Sequence, residues 1–195
     1  MNSLSASDTI ILASASPRRQ ELLRLITTDF KCIPADVEEI VPDGIDILKR
    51  AEYLAEIKCK AVSEAHKDSI VIGSDTAVIA DDIMLGKPKS KEDAFEMLRM
   101  LQGREHIVVT GCCICKGEKT VCFSDKTAVE FYPLTDGEIL EYIKTNEPFD
   151  KAGAYGIQGI GGKFVSGYDG DYDTVVGLSL RLTRELIRRV TDEEV

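Results

Sequence analysis

Two serines and two adjacent arginines stand at the start of a predicted helix, in the stretch LASASPRRQELLRL (residues 12–25). Ser16 suits the N-cap and the proline after it suits the first helical position, so Arg18 and Arg19 fall in the first turn. Unpaired backbone N–H groups and the helix dipole favour an anion at that end, whereas two cations there oppose the dipole. The pattern therefore indicates a phosphate site that includes Ser14. The alternative is an ordinary Ser-Pro cap whose arginines extend into solvent.

A second set of candidates consists of charged residues further along the chain. Asp75 follows an apolar run in VIGSDTAV, and the ends of buried strands are where sites gather in α/β proteins. Together with Glu39, or its neighbour Glu38, it offers the hard oxygen ligands that suit magnesium or manganese. Lys58 and Lys87 offer positive charge for phosphate. Asp75 as a turn or cap residue, and Lys58 as a snorkelling residue at a helix edge, are the ordinary alternatives.

The elements that must position these residues follow from the spacing of apolar side chains and from capping residues. The predicted order is a strand at 9–13, a helix after residue 17, a long helix over 43–67, a strand at 69–76, a hairpin-like stretch at 77–85, a capped helix from residue 90, strands at 106–115 and 119–132, a capped helix from residue 135, a glycine-rich stretch at 153–177 and a final helix at 179–190. This order predicts an α/β protein with a mixed sheet.

Composition narrows the class of protein. The chain has 195 residues and a net charge of −10, which argues against a protein that coats nucleic acid. We expect no membrane span and no signal peptide, because no apolar run approaches the roughly 20 residues that cross a bilayer and the first residues lack a basic segment. The six cysteines are predicted to be reduced thiols of a cytoplasmic protein. Cys112 and Cys115 form a lone C-x-x-C, which is too few ligands for structural zinc.

Six stretches, taken together, are similar to one protein family. SASPRRQELL, LAEIK, VIGSDTAV, LGKP, LQGREHIVVTG and DKAGAYGIQG resemble, in order, the Maf family of nucleoside triphosphate pyrophosphatases. The resemblance extends from about residue 10 to residue 182. The last stretch looks like the branch of the family that acts on dTTP and UTP, and not the branch that acts on 7-methyl-GTP.

The resemblance implies one Maf-like domain over residues 1–195, with an elongated central mixed sheet flanked by helices and two lobes with an active-site cleft between them. It implies hydrolysis of a nucleoside triphosphate to the monophosphate and pyrophosphate with a divalent metal cation, in the cytoplasm. No nucleic acid or membrane partner is implied, and a homodimer stays open. By the family's pattern Asp75 is the general base, and the remaining positions divide into those that set substrate choice (Arg18, Thr76 and Gln158) and the rest of the polar site (Ser14, Ser16, Arg19, Glu39, Lys58 and Lys87).

Two other functions stay open at this stage. The chain could act on 7-methyl-GTP, or it could bind nucleotides as a regulator of septum formation without turnover. An enzyme predicts metal-dependent release of pyrophosphate, whereas a regulator predicts binding alone. Asp75 favours the enzyme, because a carboxylate can orient and deprotonate a water molecule, and a protein that only binds phosphate has no need of one there. The sequence departs from the family at Cys59, where alanine is common, and at Ser179, where proline is common.

Overall fold

A computed structural model of the protein describes residues 9–191. Its strands are β1 (Ile10–Leu12), β2 (Lys31–Cys32), β3 (Ile70–Ala80), β4 (Ile83–Leu85), β5 (Glu105–Lys116), β6 (Lys119–Phe131) and β7 (Val165–Asp169). Its α-helices are α1 (Pro17–Arg24), α2 (Arg50–Ser63), α3 (Lys91–Leu101), α4 (Asp136–Ile143), α5 (Tyr172–Val176) and α6 (Leu180–Thr191). Four short 3-10 helices, Ile47–Lys49, Glu147–Asp150, Ala152–Ala154 and Ile160–Phe164, complete the regular structure of the described residues.

The seven described strands form one mixed sheet in the order β2-β1-β3-β5-β6-β7, with β4 paired to β3. Strand β1 runs parallel to β2 and to β3, whereas the β3–β4 and β6–β7 pairs are antiparallel. The parallel strands lie at one side of the sheet, where helical crossovers connect them. The predicted α/β class, with a mixed sheet flanked by helices, is confirmed.

The chain divides into two compact units. The first contains the described residues up to Asp75, then Thr110–Asp125 and the described residues from Gly177 onward. The second contains Thr76–Val109 and Lys126–Val176. Strands β3, β5 and β6 contribute residues to both units. Among residues 9–191, each helix is too short or too polar to cross a membrane.

Capping residues place the starts of three helices where the sequence predicts them. The Ser16 hydroxyl accepts from the backbone of α1, and the Ser90 hydroxyl does the same for α3. Thr135 begins α4 in a full capping box with Glu138, whose carboxylate accepts from the Thr135 backbone N–H at 2.8 Å. Each cap satisfies backbone donors that the helix itself leaves unpaired. Each of these helix starts is set by residues that are close in the chain, so the sequence alone could locate them.

Three predicted elements differ from the structure. The helix expected over 43–67 is shorter, because Gly44 adopts φ +86° and Asp46 caps a 3-10 turn before α2 starts. The strand expected to stop at residue 76 continues to residue 80, and this strand is β3. The glycine-rich stretch contains strand β7 and the short helix α5, which pattern alone did not indicate.

Two glycines let α2 lie directly on the sheet. A Cβ on Gly73 of β3 would lie 2.3 Å from the backbone oxygen of Ala55, and a Cβ on Gly111 of β5 would lie 2.3 Å from that of Ala51. No side chain fits at such distances. The backbone of α2 therefore packs directly against two neighbouring strands. This close packing sets the distance between Lys58 on α2 and strand β3.

The cysteines differ from the prediction at one pair. Cys113 on β5 and Cys122 on β6 are joined by a disulfide across neighbouring strands, with their Cα atoms 4.0 Å apart. The expectation of reduced thiols is therefore wrong for these two residues, because chain folding at the β5–β6 turn brings them side by side. Cys112 faces away from Cys115, with its sulfur 3.6 Å from the Thr183 hydroxyl. Cys112 and Cys115 are both free, buried thiols, as predicted for them.

Candidate active site

A buried lysine lies between two carboxylates in the first unit. The Nζ atom of Lys58 is 2.6 Å from Oδ1 of Asp75 and 2.8 Å from Oε1 of Glu39. The side chains of Lys58 and Asp75 are only 11% and 10% exposed, whereas Glu39 is 55% exposed. Of the two glutamates that the sequence left open, Glu39 is the one that contacts Lys58. Because a buried charge needs a partner, this lysine is an ion-pairing group and not a snorkelling edge residue.

Asp75 lies within β3 and not at its end, which corrects the sequence-based expectation. Polar residues are tolerated there because each has a partner. The Ser74 hydroxyl lies 2.9 Å from the Gly111 carbonyl oxygen and 3.0 Å from that of Gly177, and Asp75 has Lys58. The apolar strand can therefore continue through two polar residues without leaving a buried group unsatisfied.

Arg19 is held against the same part of the first unit. Its Nε donates to the Gly177 carbonyl oxygen at 2.9 Å and its Nη1 to the Ser14 hydroxyl at 3.3 Å. Burial lowers the pKa of Arg19, while the nearby charges of Asp75 and Glu39 raise it. The guanidinium therefore belongs to the Lys58–Asp75–Glu39 group, and the alternative of a solvent-facing side chain is wrong for this arginine.

The two serines at the start of α1 accept hydrogen bonds from backbone N–H groups as well as from the Arg19 side chain. The Ser14 hydroxyl also accepts from the backbone N–H of Ser16 at 3.2 Å, and the Ser16 hydroxyl accepts from that of Arg19 at 3.5 Å. Both hydroxyls thus line the N-terminus of α1, as the sequence predicted. Arg18, one position earlier in the first turn than Arg19, is half-buried. Hydroxyls, N–H groups and a guanidinium at a helix N-terminus are donors suited to phosphate oxygens.

The remaining candidates belong to the second unit. Thr76 is half-buried and directly follows Asp75 in β3, while Lys87 and Gln158 are exposed. The Lys87 segment is tied to the glycine-rich stretch, because the Gly153 N–H donates to the Gly86 carbonyl at 3.1 Å. Gly153 has φ +66°, and a Cβ there would lie 2.9 Å from Val78. Only glycine fits this close approach to β3.

Glu147 is a residue of this region that the sequence did not single out. Its carboxylate accepts from the backbone N–H of Ile160 at 2.8 Å, from that of Gly161 at 3.0 Å and from the Tyr142 hydroxyl at 2.9 Å. Burial opposes its ionisation, but the bonds from Gly161 and Ile160 outweigh burial and lower the pKa of Glu147. The glycine-rich loop that carries Gln158 is therefore anchored by Glu147. An acidic residue just before the glycine-rich stretch was the available signal.

Glu39 and Asp75 also fit the donor set expected for a divalent cation. Both present a carboxylate oxygen to one point, where the Lys58 ammonium lies. Magnesium is commonly held by one or two carboxylates, with phosphate oxygens and water completing its six ligands. Two protein carboxylates beside the hydroxyls and the guanidinium at the start of α1 fit that coordination pattern. A metal bound to both of them would take the place that Lys58 occupies.

Comparison with known proteins identifies the family. The model of the Maf-like protein family matches residues 9–190. A protein of Bacillus cytotoxicus named dTTP/UTP pyrophosphatase is 49% identical over 177 residues, which cover 90% of this chain and 93% of that protein. A protein of the same name from Geobacillus sp. is 45% identical over 181 residues, which cover 93% and 97%. Among solved structures, the Staphylococcus aureus Ham1 protein has a TM-score of 0.48 and 20% identity, with 64% of this chain and 72% of that chain covered. The extent of the family match and the identity to these relatives show that the chain belongs to the Maf family.

Proposed function

We propose that this protein hydrolyses dTTP and UTP to the monophosphate and pyrophosphate. The observation that carries the proposal is the buried Lys58–Asp75 pair, with Glu39 and Arg19 beside it, in a chain closely similar to proteins named dTTP/UTP pyrophosphatase. A carboxylate that can take a proton from water, held among cations that can bind phosphate oxygens, is what this reaction requires. Nucleoside triphosphates are made and used in the cytoplasm, and we place the enzyme there.

In the proposed mechanism Asp75 is the general base. Its Oδ1 is engaged by Lys58, so its other oxygen, Oδ2, would accept a proton from a water molecule aimed at the α-phosphorus. Lys58 holds the carboxylate in one orientation until a divalent cation takes its place at Oδ1. Bond cleavage between the α- and β-phosphates leaves negative charge on the pyrophosphate. Cationic side chains would stabilise this charge, and the candidates are Lys58, Arg19, Arg18 and Lys87.

A divalent cation, magnesium or manganese, would be held by Glu39 and Asp75. When bound, such a cation polarises phosphoryl oxygens and lowers the pKa of a bound water molecule. The chain itself supplies the two carboxylates. It also supplies Lys58, which balances their charge when no divalent cation is bound.

We assign recognition of the substrate's nucleobase to Gln158, together with Arg18 and Thr76. The Gln158 amide offers both a donor and an acceptor, which match O4 and N3–H on the edge of uracil or thymine. The alternative role for Gln158 is to brace its own loop. Glu147 performs that bracing, and Gln158 itself is exposed. This leaves its amide available for a ligand.

The test is pyrophosphate release over a panel of nucleoside triphosphates, including 7-methyl-GTP, with magnesium and with manganese. We expect dTTP and UTP to be the best substrates. Asp75→Asn should lower turnover by about 10²–10⁴ while nucleotide binding persists. Asp82→Asn is the matched control, since Asp82 lies in the exposed β3–β4 turn.

Each alternative predicts a distinct result. Binding of dTTP without pyrophosphate release would favour the regulator, and preferred turnover of 7-methyl-GTP would favour the other branch of the family. Gln158→Ala should lower kcat/KM for dTTP and UTP more than for purine triphosphates. An equal loss for all nucleotides would contradict the role of Gln158 in base choice.

A further inference from the structure

Four cysteine sulfurs converge inside the first unit, and none of them belongs to a residue assigned to the reaction. They come from three elements, with Cys59 on α2, Cys113 and Cys115 on β5, and Cys122 on β6. Cys113 and Cys115 are two residues apart in a strand, so their side chains share a face of the sheet. The sulfurs of Cys59, Cys113 and Cys115 all lie within 4.8 Å of one another, and those of Cys59 and Cys115 are 3.1 Å apart. Cys122 is bonded to Cys113.

One disulfide does not account for this arrangement, because it employs only two of the four sulfurs. In a tetrahedral site with metal–sulfur bonds of about 2.3 Å, neighbouring sulfurs are about 3.8 Å apart. The observed separations of 3.1 Å and at most 4.8 Å bracket that value. Small side-chain rotations would therefore bring the sulfurs of Cys59, Cys113 and Cys115 to the spacing of a tetrahedral site. Opening the disulfide would free Cys113 and its bonded partner Cys122 as ligands.

We propose that Cys59, Cys113, Cys115 and Cys122, when all are reduced, form a tetrathiolate site for one soft metal ion of the zinc class. A thiol reductant supplies two electrons and two protons, which convert the Cys113–Cys122 disulfide into two thiols. The metal ion then displaces four thiol protons. While the disulfide is closed, two of the four ligands are withheld, so oxidation empties the site.

The surroundings of the cluster favour a soft ion. Cys59, Cys113 and Cys115 are buried among aliphatic side chains such as Val62 and Val71, which exclude water. Thiolates select zinc, copper(I) or iron–sulfur clusters, whereas magnesium and manganese prefer oxygen ligands. The site is therefore chemically separate from the cation proposed for the Glu39–Asp75 pair.

Two neighbours can support bound thiolates. The Thr120 hydroxyl lies 3.4 Å from the sulfur of Cys115 and can donate to it. Hydrogen bonds of this kind from outside the ligand set orient ligands and strengthen metal binding. Lys60 follows Cys59 directly on α2, and its charge acts on both Cys59 and Cys115. A bound metal would join α2 to the β5–β6 hairpin, one residue from Lys58.

The experiment is a cobalt(II) titration of the full-length protein, reduced with a phosphine under anaerobic conditions. We expect saturation at one equivalent, with sulfur-to-cobalt charge-transfer absorption and the intense visible bands of tetrahedral cobalt. Zinc should displace the cobalt and raise the melting temperature. The disulfide form should show none of these bands. Because the readout is spectroscopic, it is independent of the proposed pyrophosphatase activity.

Variants test the ligand set. Cys59→Ser should weaken cobalt binding by more than about 100-fold, beyond the effect of losing an outer hydrogen bond. Cys32→Ser and Cys112→Ser are the controls, since Cys32 is exposed and Cys112 is a buried thiol that contacts Thr183. Melting of metal-free Cys59→Ser protein checks that it folds, and the wild-type titration stands without any variant. Absence of tetrahedral cobalt bands in fully reduced wild-type protein would overturn the proposal, as would unchanged bands in Cys59→Ser.

Discussion

Replacing Lys58 with methionine should destabilise the protein strongly, although the two side chains fill similar volumes. Methionine keeps the apolar stem but leaves Asp75 as a carboxylate that is only 10% exposed. Removing one partner of a buried ion pair costs about 3–5 kcal/mol, because the other charge stays buried. We expect the lower end, about 3 kcal/mol, because the positive charge of Arg19 still acts on Asp75. For a chain of this size that is a fall in melting temperature of roughly 6–12 °C.

A double-mutant cycle separates this pair from general packing effects. Asp75→Asn leaves Lys58 with Glu39, which is 2.8 Å away, so its cost should be smaller, about 1–2 kcal/mol. The variant with both substitutions removes both buried charges and should cost less than the sum of the two single changes. We expect a coupling of about 2 kcal/mol, within the range found for residues in direct contact. Urea denaturation of the four proteins measures it, provided that the denaturant slope is the same in all four.

The outcome that refutes this reasoning is additivity. If the double variant lost the sum of the two single effects to within about 0.5 kcal/mol, Lys58 and Asp75 would not interact in solution. A Lys58→Met protein as stable as wild type would contradict the burial of the pair. Either result would also remove the physical basis for an Asp75 carboxylate that Lys58 holds in place.

Three further predictions follow from other contacts. Arg19→Ala should cost about 1.5–3 kcal/mol of stability, because the Gly177 carbonyl and the Ser14 hydroxyl would each lose a charged donor. Arg18→Ala should cost less, because its removal relieves repulsion between its positive charge and the helix dipole. Thermal melts without ligand compare the two variants, and equal costs would contradict the role assigned to Arg19. Glu147→Gln should raise KM for dTTP about tenfold with a smaller change in kcat. The reason is that one of the loop N–H groups, of Ile160 or Gly161, would lose its acceptor, which costs about 1–3 kcal/mol. Glu147→Asp should partly restore KM. Burial, and secondarily the charge of Arg104, lowers the pKa of His106 from 6.5 to about 4, so the folded state resists protonation of this side chain. Between pH 8 and pH 5 the free energy of unfolding of the wild-type protein should fall by about 2 kcal/mol more than that of His106→Asn. The control His66→Asn should behave as wild type.

The fold could be predicted where the deciding interactions are local. Ser16, Ser90 and Thr135 cap helices through their own side chains, and the two aspartates at 81–82 turn the β3–β4 hairpin with positive φ, so neighbouring residues were sufficient evidence. Strand β7 pairs with β6, and nothing in its glycine-rich sequence indicates that distant partner. The length of β3 also escaped prediction, because Ser74 is satisfied by carbonyl groups of Gly111 and Gly177, which lie far along the chain.

The candidate site divides in the same way. Residue type and family resemblance indicated Asp75, Lys58 and Glu39 as candidates, but not that one ammonium group lies between two carboxylates. That contact joins α2, β3 and the segment before α2, so it depends on the packing of α2 against Gly73 and Gly111. The cysteine cluster is also tertiary, since three elements bring its four sulfurs together.

The charges of the first unit suggest how the proposed site would manage its ligands. Without substrate, Lys58 and Arg19 balance the carboxylates of Asp75 and Glu39. Glu39 and Asp75 would hold a divalent cation at the position that the Lys58 ammonium occupies, and a buried ammonium moved from there would need a new anion. A triphosphate supplies that anion, and the added metal offsets part of the charge that the triphosphate brings. Under the proposed function, metal and nucleotide therefore favour each other's binding, because each meets the charge imbalance that the other creates.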